Sequence, residues 1–315
     1  VIKGLLIAGV AVGVPVAAAA LLRRRAEPPQ APRWGRAHRY AGRLGEIAFQ
    51  ELGSGSPVVL LHSFGPGYDA AQWRAAAEVL AASHCVYVPD LPGWGRSEAP
   101  AIGYEPESYV DALDDFLTGV VREPVVVVAA GLSAAYAVRL AVEDPRMIRA
   151  LALVGPQGLE SLENGGGHGF LGKLLSLPLL SALALDALTG RAALEHHLRR
   201  EVYAAPERVD AALLEHHYRS SHVTKNRGAL AAWLRGDLDL DVSEDLAGVQ
   251  APVWLAWGRA AKSPTVEAAD RWLRRLPEES DADVEVFEGS GNLPHAETPT
   301  LFGRALERFL TSLPD

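Results

Sequence analysis

Four short apolar runs constrain this chain more than any other feature. Pro57 to His62 reads PVVLLH, Val125 to Ala130 reads VVVVAA, Ala150 to Val154 reads ALALV, and Val253 to Trp257 reads VWLAW. A strand that is apolar at every position has no face to offer water, so both faces must be covered. That condition is met by a parallel sheet between two layers of helices. His84 to Val88 and Val284 to Phe287 extend the series, and Arg43 to Leu52 reads as part of a hairpin. Helical patterns at Ser108 to Val121, Ala134 to Val142, Pro264 to Leu276 and Thr300 to Leu310 fill the intervals. The alternation predicts an α/β fold with a doubly wound, mostly parallel sheet.

One interval breaks the rhythm. Between Val154 and Val253 no strand pattern recurs, and the chain is rich in Leu, Ala and Arg around a glycine-rich stretch, Asn164 to Gly169. A structureless loop of that length is improbable inside a compact domain, so residues 156–246 are expected to form an inserted helical cap. The core then comprises residues 40–155 and 247–315. The cap holds six of the ten histidines, His168, His196, His197, His216, His217 and His222. Neighbouring residues on a helix point about 100° apart, so the two His-His pairs make poor joint ligands and no metal site is expected. Leu174 to Leu188 is strongly apolar and suits packing on the sheet, lining a pocket or contact with a membrane interface.

The N-terminus is of a different kind. Gly4 to Leu22 is 19 residues without a charge, bounded by Lys3 and by Arg23-Arg24-Arg25. As a helix it is about 28 Å long, which matches the hydrocarbon thickness of a bilayer. Residues 1–25 are therefore read as a single-pass transmembrane anchor. The arginines favour a cytoplasmic body with the N-terminus outside. A cleaved signal peptide is the alternative, given Ala18 to Ala20. Gly9 and Gly13 form a G-x-x-x-G pair, through which a membrane protein partner is expected to pack. Residues 26–39, rich in Pro and Arg, read as a stiff linker.

Charge sharpens the division. Residues 1–39 carry seven Lys/Arg against one Glu, a balance of +6, so the chain's net −9 conceals a body at −15. An acidic body argues against nucleic-acid partners. The single cysteine, Cys85, excludes an intramolecular disulfide.

Four segments resemble the α/β-hydrolase superfamily, in order and across residues 40–312. His62 to Gly67 is similar to the His-Gly loop that supplies one oxyanion-hole amide. DLPGWGRSEAP (Asp90 to Pro100) resembles the D-x-P-G-x-G-x-S segment, and Val125 to Pro145 resembles the nucleophile elbow with its strand and helix. EGSGNLPHAETP (Glu288 to Pro299) resembles the segment that carries the base. The resemblance implies a Ser, Cys or Asp nucleophile, a His base and an orienting acid.

Those positions hold other residues. Counting forward from Pro124 and back from Pro145 both place the elbow apex at Gly131; the acid position falls on Ala261 and the base position on Asn292. None of these side chains performs nucleophilic or acid-base chemistry near neutral pH. A competing frame reads Gly131-Leu132-Ser133-Ala134-Ala135 as G-x-S-x-A, with Ser133 as nucleophile and His295 as base. Glu160 is a possible displaced acid. The amides of Phe64 and Leu132 remain as oxyanion-type donors in either frame. The expectation is a membrane-anchored protein with a degenerate triad, acting by binding as an accessory subunit of a membrane complex or by holding a small apolar ligand under the cap. It needs no cofactor and no metal. The alternative is a membrane-bound serine hydrolase of esterase or lipase type that uses Ser133, and a weaker third reading is lyase or isomerase chemistry at the amides.

Overall fold

The computed structural model describes residues 34–100, 103–159, 178–223, 226–280 and 282–314. The expected anchor with Gly9 and Gly13, most of the linker, the glycine-rich stretch, Glu160 and His168 lie outside them. Among the described residues, no helix is long and apolar enough to cross a membrane.

The sheet contains β1 (Arg36–Gly42), β2 (Gly45–Gly53), β3 (Pro57–Leu61), β4 (Cys85–Pro89), β5 (Val125–Ala130), β6 (Ile148–Val154), β7 (Val253–Gly258) and β8 (Asp283–Phe287). Their order across the sheet is β1-β2-β4-β3-β5-β6-β7-β8. The β1/β2 and β2/β4 pairs are antiparallel and the remaining pairs are parallel. The described helices are α1 (Arg74–Leu80), α2 (Pro106–Phe116), α3 (Ser133–Glu143), α4 (Pro178–Leu188), α5 (Arg191–His197), α6 (Ala211–Ser221), α7 (Arg227–Arg235), α8 (Ala269–Leu273), α9 (Pro294–Glu297) and α10 (Pro299–Ser312). Helices α4 to α7 fall between β6 and β7.

The period-2 alternation of each strand divides the core in two. Val59, Leu61, Val125, Val127 and Ala129 face one side, where they pack with Leu113, Phe116, Tyr136 and Trp272. Val58, Leu60, Val126, Val128 and Ala130 face the other, against Trp73, Leu80, Phe302 and Leu306. All of these strand residues are buried, each large one worth about 1.5–3 kcal/mol of burial.

Two expectations need correction. The linker reading of residues 26–39 runs too far, because β1 takes residues 36 onward. Edge strand β1 alternates exposed and half-buried positions, so its hydropathy is weak, and it is held by pairing to β2 and by His38 stacked on Phe49 at 5.0 Å. The helix expected over 264–276 is shorter, a 3-10 turn at Val266–Ala268 followed by α8.

Candidate active-site cavity

The site is built where three loops meet at the carboxyl ends of the central strands, the usual place for a ligand in an open α/β sheet. The first is the turn between β5 and α3. Its apex is Gly131, with φ +59°. The Gly131 amide donates to Val154 O at 3.0 Å, and its carbonyl accepts from the amides of Ala134 and Gln157. The left-handed backbone is comfortable only for glycine. Space closes the position further: a Cβ on Gly131 would lie 2.2 Å from Ser63 Oγ. The Ser63 hydroxyl therefore occupies the volume where a side chain at the apex would begin.

The second loop follows β7 and brings in Ala261. The third follows β8 and brings in Asn292, whose Oδ1 accepts the Lys262 amide at 2.8 Å and whose Nδ2 donates weakly to Ser263 O at 3.4 Å. The Asn292 amide donates to Val202 O in the region between β6 and β7. Gly131, Ala261 and Asn292 all line one cavity of about 50 Å³, together with Ser63, Trp257 and His197. That is room for a few waters or a small molecule.

Ser133 and His295 are not brought together there. Ser133 is wholly buried in the first turn of α3 and donates to His62 O at 2.5 Å. His295 is wholly buried and stacked on Trp73, ring centroids 3.8 Å apart at 20°. Neither imidazole nitrogen has a partner among the described residues, and desolvation pushes its pKa down to about 3. Neither residue lines the cavity. The G-x-S-x-A match is thus a serine tied to a strand-end carbonyl and a histidine held as an aromatic plate.

The loop after β3 is organised from beneath. His62 is buried, its Nδ1 donates to Ser63 O at 2.8 Å, and its Nε2 accepts the Leu91 amide at 3.0 Å. Asp90 accepts the amides of Ala70 and Arg96, while Ser97 Oγ donates to Asp90 O and accepts from the Ala48 amide. The Asp-x-Pro-Gly-x-Gly-x-Ser stretch is therefore scaffolding. It fixes the loop that carries Phe64.

Helix α6 clamps the same loop from above. Asp69 Oδ1 lies 2.9 Å from His216 Nε2, and Asp69 Oδ2 accepts from Ser220 Oγ at 3.0 Å. His217 Nδ1 donates to Pro66 O at 3.0 Å. The Asp69 carboxylate raises the His216 pKa to about 8 against the effect of burial. Burial alone would raise Asp69, yet His216 and the Ala71 amide hold it well below the carboxylate range. Burial and the neighbouring Asp69 lift Asp90 to about 6.

The amides of Phe64 and Leu132 are buried and donate to no protein acceptor among the described residues. Trp257 Nε1 and His197 Nδ1, both on residues that line the cavity, are likewise buried without a partner. Leaving a buried donor unmet costs about 1–3 kcal/mol, so Trp257 Nε1 and His197 Nδ1 are unmet polar atoms behind the cavity wall. Sequence reasoning had found the two amides but not Ser63, Trp257, His197 or the Asp69 clamp. The signal for Ser63 was present, since a serine follows His62 where the His-Gly loop carries glycine.

A model described as "Alpha/beta hydrolase family" matches residues 58–305. The chain is 28% identical over 283 residues to a 2-hydroxy-6-oxononadienedioate/2-hydroxy-6-oxononatrienedioate hydrolase of Pseudomonas putida, covering 84% of this chain and 91% of that protein. It is 27% identical over 281 residues to an uncharacterized protein of Mycobacterium tuberculosis, covering 84% and 77%. Among solved structures, a serine hydrolase involved in carbazole degradation superposes with TM-score 0.71 at 21% identity, covering 88% of this chain and 98% of the other.

Proposed function

From the premise that the chain belongs to the alpha/beta hydrolase family, we propose that it holds a small carbonyl-bearing ligand at the retained oxyanion amides and does not hydrolyse it through the inherited triad positions. One observation carries this reading: Gly131, Ala261 and Asn292 converge on the same cavity. With no nucleophile at the apex and no base at Asn292, bond cleavage by the family's route lacks its first step. The backbone donors need no side chain and survive the loss. Tethering to a membrane through residues 1–25, with the body on the cytoplasmic side and a membrane protein partner at Gly9 and Gly13, belongs to the same proposal. It rests on the uncharged run and the three arginines after it.

The second reading is hydrolysis, favoured by relatives whose names describe hydrolases of 2-hydroxy-6-oxo acids. The serine that the cavity offers for it is Ser63, not Ser133. A fluorophosphonate probe separates the two readings. The expected result is no labelling of the folded protein. Labelling lost in Ser63→Ala or in Ser133→Ala would overturn the binding reading and identify the nucleophile.

A further inference from the structure

Helix α6 is fastened to the core by polar groups. Its buried residues are His217, Ser220 and Ser221, while Leu213 and Leu214 are only half-buried. A helix normally docks by an apolar stripe, so here side-chain bonds to the loop after β3 carry the attachment. His216 and Ser220 both hold Asp69, and His217 Nδ1 donates to Pro66 O. The segments on either side are joined differently. Before α6, the Asn292 amide donates to Val202 O and the Ala204 amide to Glu297 Oε2, both at 2.8 Å. After it, Asn226 Nδ2 donates to Gly95 O at 2.9 Å, and α7 buries Ala229 and Leu230 in the main core.

From this contrast we propose that α6 is a flap, anchored at both ends and latched in the middle by the Asp69–His216 pair, which lets go as the medium turns alkaline. Phe64 and Tyr68 lie on the loop that the flap holds down, and both line the cavity. The latch therefore sets access to the cavity, whatever is held or cleaved there.

Asp69 gives the flap its pH sense. The carboxylate is buried with Asp90 beside it, and protonated His216 supplies its counter-charge. Once that proton leaves, a buried carboxylate stands uncompensated, which is costly. Lifting α6 admits water and removes the cost. The other charges that face the pair hold steady above pH 7. Asp90, lifted to about 6 and close to Arg96, is already largely ionised there. Burial keeps His62, His197 and His217 neutral. Glu215, next to His216 on α6, is tied to Arg191 and Arg219. His216 is thus the group that titrates. Asp69 raises it to about 8, so the latch is whole below about pH 6.5 and is lost as pH rises through 8. The rise from 6.5 to about 8 shifts the closing equilibrium by about thirtyfold, of which about eightfold falls above pH 7. With the side chain 33% exposed, about fivefold is expected.

The test follows hydrogen exchange of the full chain by mass spectrometry, with protection taken relative to the unstructured rate at each pH. Protection of residues 211–221 should fall by about fivefold from pH 7 to pH 9.5. Peptides covering 198–204, 226–235 and β5 should change by less than about twofold. His216→Asn keeps a donor toward Asp69 without a titration, and should hold the 211–221 peptide to within about twofold. Equal loss in every peptide is general loosening and overturns the flap. Constant protection of 211–221 overturns it as well, and so does a fall that persists in His216→Asn.

Discussion

Replacing Gly131 by alanine should destabilise the protein through two separable effects. The backbone there sits at φ +59°, where a β-carbon costs about 1–2 kcal/mol. The new Cβ also falls 2.2 Å from Ser63 Oγ and 3.1 Å from Ser63 Cβ. Forcing the hydroxyl aside in a packed site costs about 1–3 kcal/mol. The sum is about 3 kcal/mol, or roughly 6–12 °C in Tm for a domain of this size. The measurement is a double-mutant cycle in urea or by calorimetry with Gly131→Ala, Ser63→Gly and the pair. Ser63→Gly removes both atoms that collide, so the pair should recover the contact share and show a coupling of about 1–3 kcal/mol. The backbone share should remain. Additivity of the two substitutions to within about 0.5 kcal/mol would refute the placement of Ser63 in the apex volume. A neutral Gly131→Ala would refute the elbow geometry as well.

Two further expectations follow from the same loops. Setting Gly131→Ser, Ala261→Asp and Asn292→His into the Ser63→Gly background should produce fluorophosphonate labelling and ester hydrolysis absent from the parent, and a folded variant that stays silent would show that the three positions are not in catalytic register. The His216–Asp69 clamp predicts a pH dependence. His216 is raised in the folded state to about 8 by Asp69, so its contribution is fully present below about pH 6.5 and is lost as pH rises through 8. Because the His216 side chain is 33% exposed, the loss is screened by solvent and comes to about 1 kcal/mol. Asp90, raised to about 6, also loses stability as pH rises, but over a lower window. His216→Asn should flatten the change in Tm between pH 6.5 and 9, and an unaltered slope would rule the clamp out.

The apolar runs at 57–62, 125–130, 150–154 and 253–257 gave the sheet correctly, because a strand buried on both faces has to be apolar throughout. Edge strand β1 escaped notice for the opposite reason, since half of it faces water. Counting from two prolines sets the expected apex at Gly131, and in the structure Gly131 stands in the turn between β5 and α3 with φ +59°. Asn292 and Ala261, which short segments with fixed spacing offer as base and acid positions, line the same cavity as Gly131. Nothing in such spacing predicts that Ser133 spends its hydroxyl on the His62 carbonyl, or that His295 lies flat on Trp73, because each partner is distant in the chain.

The sequence alone therefore determined the layers and the parallel core of the sheet, which depend on local pattern. Tertiary structure alone decided that Ser63 fills the space at Gly131, that Trp257 and His197 line the same cavity, and that Asp69 is clamped by α6. These are meetings between segments up to about 200 residues apart. A hydrogen bond or a steric contact is set by distances of a few ångströms in space, and only the packed fold brings such segments within that range.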